Sequence, residues 1–231
     1  MIPPHDTVKD ALLDAAMLHV VFDGWSDATF KAAVAEAGID PVVARGVCPR
    51  GALDLAVAYH KRGDAQMVAR LKAEDLSAMR FRDRIAAAVR FRLEAATDKE
   101  AVRRGTTLFA LPNHAPEGAR LVWDTCDEIW TALGDTSDDV NWYTKRATLS
   151  AVYSATVLFW LGDDSADHQA TWEFLDRRIE NVMQIEKFKA QVNANPVLQK
   201  LLSGPNWIMG QVRAPVRTPD IDLPGSWRSG R

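Results

Sequence analysis

The chain has 231 residues, 47% of them apolar and 26% charged, with 28 Lys and Arg against 31 Asp and Glu for a net charge of −3. That composition belongs to a globular protein with one large or two small cores, and 11 Pro with 13 Gly exclude a fibrous or largely disordered chain. No overall basic excess points to nucleic acid. Cys48 and Cys126 stand too far apart for C-x-x-C chemistry, which excludes a zinc ribbon, a dithiol redox site and a disulfide framework and predicts a reducing compartment. The first residues, MIPPHDTVKD, carry acids where a signal peptide needs cations, so the chain is predicted to stay unexported.

Helical periodicity runs through the chain in order. Val8, Ala11, Leu12, Ala15, Leu18 and Phe22 form an apolar stripe stopped by Gly24. Ser26 is placed to cap a second helix carrying Phe30, Ala33, Val34 and Ala37, and Asp40-Pro41 opens a third that stops at Gly46. Three short helices in this order make a helix-turn-helix arrangement. Further helices are predicted over 52–62, 64–72, 76–95 and 99–109. The loop Leu111–Pro116 then leads to a helix with Val122, Trp123, Cys126, Ile129, Trp130 and Leu133 inward, ended by Gly134. After an acidic loop comes the most apolar segment, 140–161. Its core, Ala147–Gly162, is shorter than the roughly 20 residues a membrane span requires and is expected to be buried in the middle of the domain. A last helix turns Trp172, Leu175, Ile179 and Val182 inward. No alternating pattern is long enough for a sheet, so the architecture is all-α.

Beyond Glu186 the cations Lys187, Lys189, Lys200, Arg213 and Arg217 accompany Leu198, Leu201, Leu202, Trp207 and Ile208. Pro196 and Gly204-Pro205 interrupt this stretch and predict two short helical pieces rather than one. Its apolar and cationic residues suit a membrane surface. The Pro-rich end is expected to be extended or disordered. The predicted organisation is therefore an N-terminal unit over 1–50, a helical domain over 51–183, a membrane-contacting segment over 184–213 and a tail over 214–231.

A search for catalytic constellations finds no H-E-x-x-H, Glu-x-x-His, G-x-G-x-x-G, Walker loop or G-x-S-x-G elbow, and His5, His19, His60, His114 and His168 are scattered. The carboxylate pairs Asp138-Asp139 and Asp163-Asp164 sit where loops meet helices, as capping acids do. Nothing supplies a nucleophile with its base, so the chain is not expected to be an enzyme and no metal or cofactor is implied. DNA binding fares little better. Residues 1–46 hold three cations, Lys9, Lys31 and Arg45, against seven acids, the wrong sign for a phosphate-docking unit, and the third helix, DPVVARG, offers only Arg45 to read a base. The basic stretch around Arg80–Arg84 and Arg90–Arg92 reads as a solvated helix face, or alternatively as a contact for anionic lipid. The aromatic residues of the second half either pack a core or line an apolar ligand cavity. Trp142-Tyr143, at a helix start beside Arg146, has the composition of an exposed interface hot spot.

The runs GDTSDDVNWYTKR (Gly134–Arg146), AVYSA (Ala151–Ala155), WLGDDS (Trp160–Ser165) and TWEFLDRRI (Thr171–Ile179) closely resemble the signature of the ninth coenzyme Q biosynthesis protein family, strongly over about residues 110–183. That resemblance implies a TetR-like fold without DNA binding, in a homodimer. It also implies an apolar cavity for an isoprenoid lipid or quinone, and association with the demethoxyubiquinone hydroxylase. On that reading Trp123, Trp130, Leu149, Tyr153, Val157, Trp160 and Trp172 line the cavity, while Asp139, Asn141, Trp142, Tyr143 and Arg146 form the partner surface. Lys187, Leu198, Lys200, Leu201, Leu202, Trp207, Ile208 and Arg213 touch the membrane, placing the protein in the cytoplasm at the inner membrane's periphery. The interrupted C-terminal stretch departs from the continuous amphipathic helix of eukaryotic members. The competing reading is a TetR-like, ligand-responsive transcriptional regulator.

Overall fold

Capping residues set the first three helices. In the computed structural model, which describes residues 5–194 and 213–215, with side chains over 7–184 and 213–215, α1 (His5–Asp23), α2 (Asp27–Glu36) and α3 (Pro41–Val47) follow through tight turns. Gly24 takes a left-handed φ of +64° after α1, a conformation cheap only for glycine. The Ser26 hydroxyl accepts from Thr29 N at 3.3 Å, and Asp40 Oδ1 accepts from Val42 N and Val43 N at 2.8 and 3.3 Å. These side chains satisfy N–H groups that a helix start leaves unpaired.

The buried face of α1 differs from the expected stripe. Val8, Leu12, Leu13, Ala15, Ala16 and Val20 are buried, whereas Ala11, Leu18 and Phe22 face solvent, Phe22 with 79% exposure. Positions 11, 18 and 22 recur at spacings of seven and four and so share one face, and the core is centred about a third of a turn from it.

The chain continues as α4 (Ala52–Ala73), α5 (Phe81–Glu94), α6 (Lys99–Phe109), α7 (Ala115–Ala132), α8 (Val140–Leu161) and α9 (Gln169–Ala194), with one 3-10 turn at Ala166–His168 before α9. No strand occurs among the described residues, so the all-α class holds. Helix α4 is one helix where the pattern suggested two, because Gly63 is accommodated inside it. Helix α5 starts five residues later than expected, and α7 starts inside the expected loop, with Pro116 in its first turn, where a missing N–H costs little. Helix α9 passes position 183, so the expected boundary there falls within a helix.

Two cores result. One joins α1–α3 to the start of α4 through Leu12, Phe30, Ala44 and Leu55. The other joins the end of α4 to α5, α7, α8 and α9 through Met67, Val89, Ile129, Val152 and Leu175. Helix α4 belongs to both and fastens them together. Helix α8 is not enclosed on every side as its composition suggested: Leu149, Val152, Thr156 and Trp160 are buried, but Leu158 is 61% exposed. Its carbonyl end is closed by two cations of α6, for Lys99 Nζ donates to Asp163 O at 2.6 Å and Arg103 Nη2 to Leu161 O at 2.7 Å. The capping role expected of the acid pairs is met. Asp139 Oδ1 accepts from Asn141 N at 2.9 Å to open α8, and Asp163 accepts from Ser165 N and Thr171 N, both at 2.9 Å. No described helix is long and apolar enough to cross a membrane.

Candidate functional site

Between the two cores lies a cavity of about 800 Å³ walled by α4, the end of α5, α6, α7 and α8, with Trp25 at its N-terminal side. That volume is within the range of small-molecule sites. Its α8 wall follows helical spacing, with Ala147, Ser150, Ser154 and Val157 in line and Tyr153 beside them. Ala110, Ala119, Ala147, Ala151 and Leu158 both line the cavity and face solvent, which locates its mouth. Small side chains on facing helices keep that mouth open.

The opposite end is buried and polar. Arg92, 6% exposed, donates from Nε to Asp64 Oδ1 at 2.6 Å and from Nη2 to His60 O at 3.0 Å. Thr125 Oγ1 lies 2.9 Å from Asp64 Oδ1 and 2.8 Å from His60 Nε2. A buried guanidinium is tolerated because the carboxylate neutralises it and further hydrogen bonds complete its shell. Burial drives the His60 pKa down to about 4, against the pull of Asp64, so the ring is neutral at pH 7. Gly63 makes the arrangement possible: a Cβ there would meet Arg92 Nη1 at 2.6 Å. Arg92 is therefore not part of a solvated basic face. Its neighbours on α5 are largely paired, Arg80 with Asp83, Arg82 with Glu180 and Arg90 with Glu94. Sequence reading passed over this cluster; its one local signal is the i, i+4 placement of His60 and Asp64 on the face of α4 that also carries Ala56.

The residues expected to line a lipid cavity divide three ways. Trp123, Tyr153 and Val157 are on the wall of the large cavity. Trp130 and Leu149 line a separate cavity of about 260 Å³ between α8 and α9, where Trp130 also packs on Phe81. Trp160 and Trp172 line neither. Trp160 packs in the second core under Lys99, and Trp172 donates to Asp167 O at 2.8 Å with Arg90 over its ring.

The expected partner residues gather at the start of α8, with two corrections. Trp142 and Tyr143 are half-buried rather than fully exposed, packed edge to face at 4.7 Å and against Trp123 at 5.9 and 6.4 Å. Asn141 is exposed and bonds the capping Asp139 at 2.9 Å. Arg146 is no surface residue. It is 1% exposed, donates to Asp127 at 2.5 Å and to Asp135 at 3.0 Å, and lies under the Trp142 ring. Its position one turn after Trp142 on α8 points it inward, beneath the aromatic pair. Of the expected membrane residues, Lys187 lies on the α9 backbone and Arg213 is exposed, its carbonyl accepting from the Tyr143 hydroxyl at 3.3 Å, while Ala214 N donates to Asp138 O at 2.9 Å. Leu198, Lys200, Leu201, Leu202, Trp207 and Ile208, and the two expected helical pieces, lie outside the described residues.

The helix α3 that sequence reading tested for DNA binding exposes Val42, and Arg45 lies over the Phe30 ring. Apolar and stacked side chains there leave little to read a base edge.

Residues 115–186, which build the α7 and α8 walls and most of α9, match the COQ9 family. Over 191 residues the chain is 33% identical to the ubiquinone biosynthesis protein COQ9, mitochondrial, of Drosophila melanogaster, covering 80% of this chain and 58% of that protein. It is 28% identical over 209 residues to the probable ubiquinone biosynthesis protein coq9, mitochondrial, of Dictyostelium discoideum, covering 84% and 67%. The human COQ9 protein is 36% identical over 91 residues, 39% of this chain and 29% of that protein. The chain thus spans little more than half the length of the Drosophila relative. In fold it is similar to a TetR transcriptional regulator from Nitrosomonas europaea, with a TM-score of 0.64 over 76% of this chain and 97% of that one at 20% identity.

Proposed function

We propose, from the match of residues 115–186 to the COQ9 family and the likeness to the Drosophila and Dictyostelium ubiquinone biosynthesis proteins, that this chain is a lipid-binding accessory protein of ubiquinone biosynthesis that takes up an isoprenoid quinone intermediate at the membrane surface and presents it to the demethoxyubiquinone hydroxylase. One observation carries the reading: a large, mainly apolar cavity opens beside the aromatic surface of Trp142 and Tyr143, with Trp123 belonging to both. A polyprenyl tail gains nothing by entering water, so its transfer needs an apolar enclosure of comparable quality with an exit close to the receiving protein. The alanine-rich mouth one turn from Tyr143 on α8 supplies that proximity. On this reading the protein makes no bond itself and needs no metal or cofactor. It works as a homodimer held peripherally at the inner membrane by its C-terminal segment.

A ligand-responsive regulator on the same fold is disfavoured by the acidic N-terminal unit and by the apolar, partly stacked face of α3. Solvent extraction of the purified protein followed by mass spectrometry separates the two, since a carrier yields an isoprenoid lipid and a regulator shifts promoter DNA with steep salt dependence. In a deletion strain, accumulation of demethoxyubiquinone that wild type reverses and Trp142→Ala does not supports both carrier and surface. An unchanged quinone profile overturns the proposal.

A further inference from the structure

The buried end of the cavity is chemically unlike the rest of its wall. Tyr153 is 4% exposed and lines the cavity beside His60 and Arg92, with the charges of Arg92 and Asp64 acting on its hydroxyl. Burial pushes that hydroxyl up to about 12, so it is a donor at every physiological pH. Next to it the Arg92 and Asp64 charges cancel at 2.6 Å. His60 is neutral, with Nε2 2.8 Å from Thr125 Oγ1. The polar end therefore carries no net charge, which makes it a poor host for a phosphate or carboxylate, whose desolvation would go uncompensated.

We propose that the end of the cavity formed by His60, Arg92 and Tyr153 is a head-group site for the neutral, oxygen-bearing ring of an otherwise apolar ligand, with the Tyr153 hydroxyl donating to a carbonyl or ether oxygen of that ring. The inference rests on the lipid-carrier reading and adds to it a means of telling a quinone from a plain hydrocarbon. A single neutral hydrogen bond contributes about tenfold in affinity, enough to discriminate and weak enough for the ring to leave again toward the Trp142 surface.

The test titrates the full chain with ubiquinone-2 and with squalene, an isoprenoid hydrocarbon without oxygen, by native mass spectrometry from detergent micelles, in wild type and in Tyr153→Phe, which removes only the hydroxyl. The expected result is a loss of about five- to tenfold for ubiquinone-2 and a squalene affinity changed by less than about twofold. Equal loss of both probes, or unchanged ubiquinone-2 binding in Tyr153→Phe, overturns the head-group site and leaves the carrier standing. Failure of wild type to take up either probe overturns the carrier reading and the site with it. A melting temperature of Tyr153→Phe matching wild type establishes that the variant is folded.

Discussion

Trp123 on α7 and Trp142 on α8 hold their rings 5.9 Å apart, and Trp123 is at once a wall of the large cavity and a support of the Trp142-Tyr143 surface. Occupancy of the cavity and the shape of that surface thus share a side chain, an arrangement through which a partner can respond to the ligand. Trp123→Ala is expected to lower both retained lipid and hydroxylase association, because truncating a half-buried aromatic removes about 1–3 kcal/mol of packing. Trp142→Ala, away from the cavity, is expected to lower association alone. Extracted lipid and a pull-down on both variants decide it, and identical phenotypes would mean the two features are not linked through Trp123.

Arg146 is expected to matter for stability before it matters for any partner. Its guanidinium joins Asp127 on α7 to Asp135 in the loop before α8, beneath Trp142. Arg146→Ala removes one of two cations from the buried Asp135, which keeps Lys145 at 2.8 Å, so the cost is expected below the about 3–5 kcal/mol of a fully orphaned buried charge. The Asp135 carboxyl feels burial raising its pKa, but hydrogen bonds from Lys145, Ser137 and Arg146 outweigh it and bring the pKa down to about 2. A folded value below the unfolded one means the stabilisation is present above about pH 4 and is lost as the pH falls toward 2. Urea midpoints across that range are expected to fall steeply for wild type and less steeply for Arg146→Ala; parallel curves would remove the Asp135–Arg146 pair from the account.

The fold was legible largely because capping and stop residues are local. Ser26, Asp40, Asp139 and Gly162 each act through neighbours within a few positions, so the limits of α8 fell where the pattern put them. What stayed hidden depends on partners distant in the chain. Arg92 looks like its exposed neighbours Arg80 and Arg90 until Asp64, 28 positions away, is found beside it. Arg146 reads as an interface cation until Asp127 and Asp135 close over it. The apolar residues Trp123 and Trp160 carry no label distinguishing cavity wall from core, since both bury a ring on a helix and only the space left between facing helices separates them.

His60 supplies a second pH signature. Its folded pKa of about 4 lies below the ordinary histidine value of 6.5, chiefly through burial, so the unfolded chain binds a proton that the folded chain refuses. Stability is then complete above about pH 6.5 and declines as the pH falls from there through 4, by about 3 kcal/mol on the scale of 1.4 kcal/mol per pKa unit. His60→Gln keeps an amide donor for Thr125 and removes the titration. Its stability curve is expected to be flatter than that of wild type between pH 6.5 and 4, and an unaltered slope would assign the effect to other groups.

Gly63 offers a test in which two effects oppose each other. Alanine has the higher helix propensity by about 1 kcal/mol, and Gly63 is deep inside α4, so Gly63→Ala should stabilise the helix on local grounds. The added Cβ, however, would stand 2.6 Å from Arg92 Nη1. A flexible arginine at a surface could swing away, but this one is held by Asp64 and by the His60 carbonyl inside the protein, and moving it breaks a buried charge pair. Overpacking of this kind costs about 1–3 kcal/mol, which exceeds the propensity gain at most of that range. Gly63→Ala is therefore expected to melt several degrees below wild type, and to recover when Arg92 is shortened in the double variant Gly63→Ala/Arg92→Lys, whose narrower ammonium leaves room for the methyl group. A higher melting temperature for the single variant would mean that Arg92 is not pinned against α4.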